Sequence, residues 1–184
     1  MLDGTTKNCT GTIIVAIHRM KTFAILLCFL LMDTNTTENK PVSKIDPVKY
    51  AGKWYVIGLI PTRFDRTWQN TTETYTLNSK GDYDIYTTYT KKGEDKSVRS
   101  KGFLNAKLGN AVWKVQFVWP FRADYWVIEY GEDYSYTVVG HPKNKFLYIM
   151  ARQPSMSDSL YGAITERCKA KGYDTDKLRK QSQR

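Results

Sequence analysis

The sequence predicts an all-β domain, an eight-stranded up-and-down antiparallel barrel with one C-terminal α-helix packed on its outer wall. Three observations carry that expectation. Short alternating runs succeed one another from Gly52 to Ala151, joined by turns too short for crossovers, so neighbouring strands pair antiparallel. After Pro154 the period changes, with Leu160, Ile164 and Cys168 recurring every four residues along one helix face. Aromatic residues make up 14% of the 184 residues, thirteen of them tyrosine, and they fall in the alternating segments. A closed barrel satisfies all three and leaves no strand edge free to aggregate.

The chain divides into a leader region (1–32), a polar linker (33–43), the domain (44–178) and a basic C-terminal tail (179–184). Met20 to Met32 reads MKTFAILLCFLLM, an apolar run behind Lys21 that is too short for the roughly 20 residues a membrane helix needs. It has the length of a secretion signal, so an exported protein starting at Met20 rather than Met1 is expected. Cys28 is a lipidation candidate, although Leu27 before it is bulkier than such sites take; lipidation and simple cleavage both stay open. With the leader removed, Cys168 is the remaining thiol and an intramolecular disulfide is impossible.

Within the domain, Asp46-Pro47-Val-Lys-Tyr50 suits a short helical turn, because Asp caps well and Pro fits the first helical position. Gly52-Lys-Trp54 opens the first strand, which Pro61 stops before a long first loop through Arg66. Trp54 needs an enclosed site for so large a ring. Strands follow at Thr71 to Leu77, Tyr83 to Thr90, Ser97 to Leu104, Val112 to Trp119, Tyr125 to Glu129, Tyr134 to Val139 and Phe146 to Ala151. The helix is expected from Ser155 to Lys171, capped by Ser157 or Asp158 and stopped at Gly172, with Cys168 as a small buried hydrophobe.

The string Gly52-Lys-Trp-Tyr through Arg63-Phe-Asp-Arg66 resembles the lipocalins, in the branch of the bacterial lipocalins (outer-membrane lipoproteins) and apolipoprotein D. Pro120-Phe121 with the following strand, Tyr134-x-Tyr-x-x-Val-Gly140 and Leu147-Tyr-Ile-Met-Ala-Arg152 continue the resemblance in the family's order, over about Ile45 to Leu178. It implies that the turn before Gly52 closes the lower end of the barrel. It also implies a structural signature of Gly52, Trp54 and Arg152, with the guanidinium lying over the indole.

Chemistry is sparse. His18 lies in the leader and His141 in a turn, so neither a histidine triad nor a histidine metal cluster can assemble, and no catalytic residue, metal or cofactor is expected. The formal charge of +10 is spread over strands, turns and tail without a nucleic-acid-binding motif, which excludes nucleic acid as the expected partner and leaves an anionic membrane surface. The expected site is the barrel cavity. With Trp54 inward and the strands matched to the family, Tyr75, Leu77, Ile85, Trp113, Val115, Phe117, Tyr125, Val127, Tyr136 and Tyr148 line it. Glu73 shares the parity of Tyr75 and Leu77, and it either stays wet near the mouth or recognises a cationic or hydrogen-bonding head group.

The resemblance and the apolar wall together imply a small hydrophobic ligand, a fatty acid or lysophospholipid, held by a non-enzymatic carrier, monomeric or weakly dimeric. Its place would be the periplasm or outer membrane of a bacterium, or the secreted fraction of a eukaryote. A membrane-associated scaffold that uses the barrel surface and loops, with no cavity ligand, is the rival reading.

Overall fold

In the computed structural model, which describes residues 37–184, the chain enters the barrel through a helical turn, α1 (Pro47–Tyr50). Asp46 caps it, accepting from the amides of Val48 (2.9 Å) and Lys49 (3.3 Å), and Pro47 occupies the first helical position, as its sequence dictates. The proposed leader, Cys28 and the choice between Met1 and Met20 lie outside the described residues. Residues 37–43, expected as solvated linker, are instead tied down: the Thr37 amide bonds to the Ala170 carbonyl and the Val42 amide to that of Val127.

Eight strands then follow as a meander: β1 (Gly52–Ile60), β2 (Gln69–Leu77), β3 (Tyr83–Lys91), β4 (Glu94–Leu104), β5 (Val112–Val118), β6 (Phe121–Tyr130), β7 (Tyr136–Gly140) and β8 (Leu147–Ala151). Each pairs antiparallel with the next, and β8 returns to β1 with Tyr55 opposite Ala151, closing the barrel. β1 pairs with β2 only over Gly52 to Tyr55. Above that the two strands part, and the segment expected as a basic C-terminal tail lies against β1 and β2 there. There β9 (Arg179–Lys180) pairs with Gly58 and Leu59, and the side chain of Gln181 bridges the Thr71 amide and the Trp68 carbonyl.

After β8, α2 (Asp158–Ala170) is capped by Ser157, whose hydroxyl accepts from the Leu160 amide, and Gly172 ends the helical segment at φ +85°. Ile164 and Cys168 are buried against Ile60, Ile128, Val138, Leu147 and Ile149 on the outer face of the sheet. Gly58 and Gly140 let this layer approach. A methyl group on either would overlap a tyrosine, Tyr161 over the first and Tyr173 over the second. Arg167 grips Glu129 through Nε and Nη2, a forked ion pair between α2 and β6. The barrel thus has two cores, one inside and one between its outer wall and α2.

Candidate functional site

The closed end is built first by backbone geometry. Gly52 has φ +100°, a conformation that side chains rarely adopt, and a Cβ there would stand 3.2 Å from Arg152 Nη1. Arg152 lies with its Cζ 3.7 Å from the centroid of the Trp54 ring. Its guanidinium donates to the carbonyls of Lys49, Tyr50, Ala51 and Lys53 at 2.7 to 3.1 Å, while Trp54 Nε1 donates to Tyr50 at 2.9 Å. One cation therefore satisfies the carbonyls left open at the end of α1 and covers the buried indole.

Above this clasp the interior is filled by rings. Tyr50, Trp54, Tyr75, Tyr83 and Trp113 are fully buried, with neighbouring centroids 5.1 to 6.2 Å apart, mostly tilted or edge-on. Ile85, Val115, Tyr125 and Val127 join the same cluster, and Tyr148 packs against it half-buried. These are the inward positions expected from alternation.

Three expected lining residues stand elsewhere. Tyr136 is on the outer wall, where it packs among the α2 layer and donates to Glu129 at 3.0 Å. Along β7 it is Thr137 and Val139 that face inward, so the expected register was off by one residue, and a slip of one inverts a strand. Leu77 is the last residue of β2, at the lower rim where the wall ends, and is exposed. Phe117 is half exposed because the β5–β6 register shifts between Val115 and Val118, which breaks the alternation before the strand reaches the rim.

Glu73 is not a wet mouth residue. It is buried at mid-height, opposite Trp54 on one side and Thr87 on the other. Tyr75 Oη donates a short hydrogen bond to its Oε2, and Tyr125 Oη reaches the same oxygen at 3.3 Å. Burial pushes the carboxyl above its ordinary value, opposed by those two phenols and reinforced by the nearby Asp65 carboxylate. The phenols of Tyr75, Tyr125 and Tyr148 are driven well above theirs, first by burial and then by the carboxylates beside them.

Asp65 was missed in the sequence because it sits in the first loop. The loop folds back so that Asp65 Oδ1 accepts from the Thr62 amide and hydroxyl, and Oδ2 accepts from Tyr148 Oη at 2.5 Å. This buried carboxylate brings the loop against the interior.

The opposite character appears at the open rim. β1 and β5 both run toward it, so the first loop and the β5–β6 turn lie at the same end. There Phe64, Val118, Trp119 and Phe121 are 68 to 82% exposed. Arg63, Arg66, Lys92, Lys143 and Lys145 are exposed on the loops of that end, and Arg122 is exposed at the start of β6. A turn reading Val118-Trp-Pro-Phe121 is a legible signal in retrospect, since turns are ordinarily polar.

Residues 45–183 match the family described as a lipocalin-like domain. The chain belongs to the lipocalin family. Lipocalins typically bind small hydrophobic ligands and are generally binding or transport proteins rather than enzymes. The chain is 29% identical to temperature-induced lipocalin-1 of Arabidopsis thaliana over 159 residues, covering 82% of this chain and 86% of the relative. It is also 29% identical to outer membrane lipoprotein Blc of Vibrio cholerae over 165 residues, covering 86% and 96%. Among solved structures, insecticyanin from the tobacco hornworm Manduca sexta superimposes with a TM-score of 0.63 at 16% identity, over 79% of this chain and 85% of that one. H1 crustacyanin from the lobster Homarus americanus gives 0.61 at 19% identity, over 80% and 82%. At those identities the two structures speak for the lipocalin fold.

Among the described residues, no group of three or more His, Cys, Asp or Glu is placed to hold a metal ion, and no helix is long and apolar enough to cross a membrane. Cys168, the thiol in the described region, is buried and pushed up to about 12 by desolvation, far from nucleophilic.

Proposed function

We propose that this lipocalin is an exported carrier that takes up a small single-chain amphiphile, of the fatty acid or lysophospholipid class, and exchanges it with an anionic membrane at its open end. The observation that supports this best is the rim, where exposed Trp119, Phe121, Val118 and Phe64 are ringed by basic side chains above an aromatic-lined barrel. Aromatic side chains favour the membrane interface, and each Lys or Arg near an anionic surface contributes about 1 kcal/mol. The names of the Blc relatives, outer membrane lipoproteins, support a place at an envelope membrane.

Co-sedimentation with lipid vesicles tests the reading. Binding to anionic vesicles should exceed binding to neutral ones, fall with added salt and be lost in a Trp119→Ser, Phe121→Ser variant, while native mass spectrometry of protein from its own source should show one bound amphiphile. A rim that ignores vesicle charge, together with a barrel that comes out empty and takes up no amphiphile, would replace the carrier with the scaffold reading.

A further inference from the structure

The outer wall across β3 to β6 carries cations that the barrel itself does not use. Outward positions alternate with buried ones, so Asp84 and Tyr86 of β3 face Lys101 and Arg99 of β4. Next along the wall, Phe103 faces Lys114 of β5, which faces Asp124 of β6. Lys114 and Asp124 are paired at 2.6 Å. Arg99, Lys101 and Arg122 are exposed, and among the described residues none of the three enters an ion pair. Both arginines are instead seated on rings, Arg99 Cζ 4.8 Å from the Tyr86 centroid and Arg122 Cζ 3.7 Å from that of Phe103. A ring occupies the flat face of a guanidinium and leaves its in-plane N–H donors for another partner.

The ladder between β4 and β5 runs from Leu104 opposite Trp113 to Lys101 opposite Gln116. Beside its upper end lies a groove of about 420 Å³, walled by Tyr86, Arg99 and Lys101 and by Gln116, Phe117 and Trp119. Phe117 and Trp119, 50 and 82% exposed, join it to the apolar turn at the open end. Four cations (Arg99, Lys101, Lys114 and Arg122) stand against two carboxylates (Asp84 and Asp124) on this wall, whereas on α2 Asp158 and Glu166 balance Arg167 and Lys169. Donor forks beside exposed rings match phosphates that overlie apolar matter, which is the chemistry of a phospholipid surface. A soluble phosphate would leave Phe117 and Trp119 in water.

We propose that this wall, not the ring of loops, is the face laid on an anionic membrane: Arg99, Lys101 and Arg122 take phospholipid phosphates while Phe117 and Trp119 enter the head-group layer. The barrel then rests tilted onto β3 to β6, with the β5–β6 turn deepest and the loops bearing Arg63, Lys143 and Lys145 turned away from the bilayer. The inference rests on the membrane-exchange reading and fixes the orientation that reading leaves open.

Binding of the full chain to phosphatidylcholine vesicles with and without phosphatidylglycerol tests it. A basic residue at such a surface is worth about fivefold in affinity, so Arg99→Gln with Arg122→Gln should weaken binding to the anionic vesicles about thirtyfold. Arg63→Gln, Lys143→Gln and Lys145→Gln together remove more charge, yet should weaken it less than about fivefold. Arg99→Lys with Arg122→Lys keeps the charge and loses the forks, and should still bind severalfold more weakly than the parent. A melting temperature near the parent's is the control for folding, and Lys101→Gln, with an expected loss of about fivefold, stands in if the arginine pair does not fold. Equal losses per charge from the two glutamine sets, or a larger loss from the loops, overturn the orientation and leave the membrane reading in place. Lysine variants that bind like the parent overturn the role of the forks. A parent that ignores phosphatidylglycerol overturns the membrane reading and the orientation together.

Discussion

Replacing Arg152 tests whether the closed end is held by a fork or merely by a positive charge. In the native protein its guanidinium serves four carbonyls and lies over Trp54 at 3.7 Å. The bonds to Lys49 and Lys53 are solvent-exposed, so those carbonyls rehydrate when Arg152 is lost and contribute little to the difference. The half-buried bonds to Tyr50 and Ala51 share Nη2, and as charge-assisted bonds they are worth about 1.5 to 3 kcal/mol together. The cation over the indole adds about 0.5 to 2 kcal/mol. Arg152→Ala should therefore cost about 2 to 5 kcal/mol, a large part of the 5 to 15 kcal/mol typical of a domain. Arg152→Lys keeps the charge, but a point ammonium cannot span the same carbonyls and cover the ring, so about 2 kcal/mol should be lost. Urea denaturation followed by tryptophan fluorescence measures both. If the lysine variant falls within about 0.5 kcal/mol of the parent, the scatter of ordinary surface substitutions, the planar fork is irrelevant and the argument fails.

Gly140→Ala should destabilise the α2 side of the barrel, because the added methyl meets Tyr173, and a double-mutant cycle with Tyr173→Phe should show coupling; additive losses would disprove the contact. Burial raises the Glu73 carboxyl, so its favourable contribution is complete below the ordinary value of 4.5 and is lost as pH rises through the folded-state value. The melting temperature of Glu73→Gln relative to the parent should accordingly climb as pH rises above the ordinary value of 4.5, and a constant difference would contradict the burial. Cys168, held near 12 by burial, should resist a thiol reagent in the native protein and react once urea unfolds it; fast labelling under native conditions would place it at the surface.

The strands could be read because their alternation is set by burial on one face, and the α1 cap and the α2 stop because Asp46, Ser157 and Gly172 act through local geometry. Orientation within a strand was less secure. Tyr136 went wrong because β7 reads as apolar on both faces, one turned to the interior and the other to α2, so composition gives no parity. Phe117 was displaced by a register shift that alternation cannot foresee. Asp65 escaped notice because a loop residue reaches the interior only through the fold of the loop, and β9 because two residues carry no period. Glu73 was legible as an inward carboxyl, but its depth depended on how far the aromatic fill extends.

The double allegiance of β1 has a kinetic side. Hairpins from β2 to β8 close over short turns, whereas pairing Tyr55 with Ala151 joins residues nearly a hundred positions apart, at a loop entropy on the order of 4 kcal/mol. That seam is a step to be completed after the local hairpins have formed, and it is where Arg152 reaches from the end of β8 to the carbonyls around α1 and Gln181 spans the split between β1 and β2. Contacts made after the folding barrier leave the folding rate almost untouched and set the rate of escape from the native state. The clasp and the returning strand thus act as a latch on the lifetime of the closed barrel, largely independent of how quickly it forms.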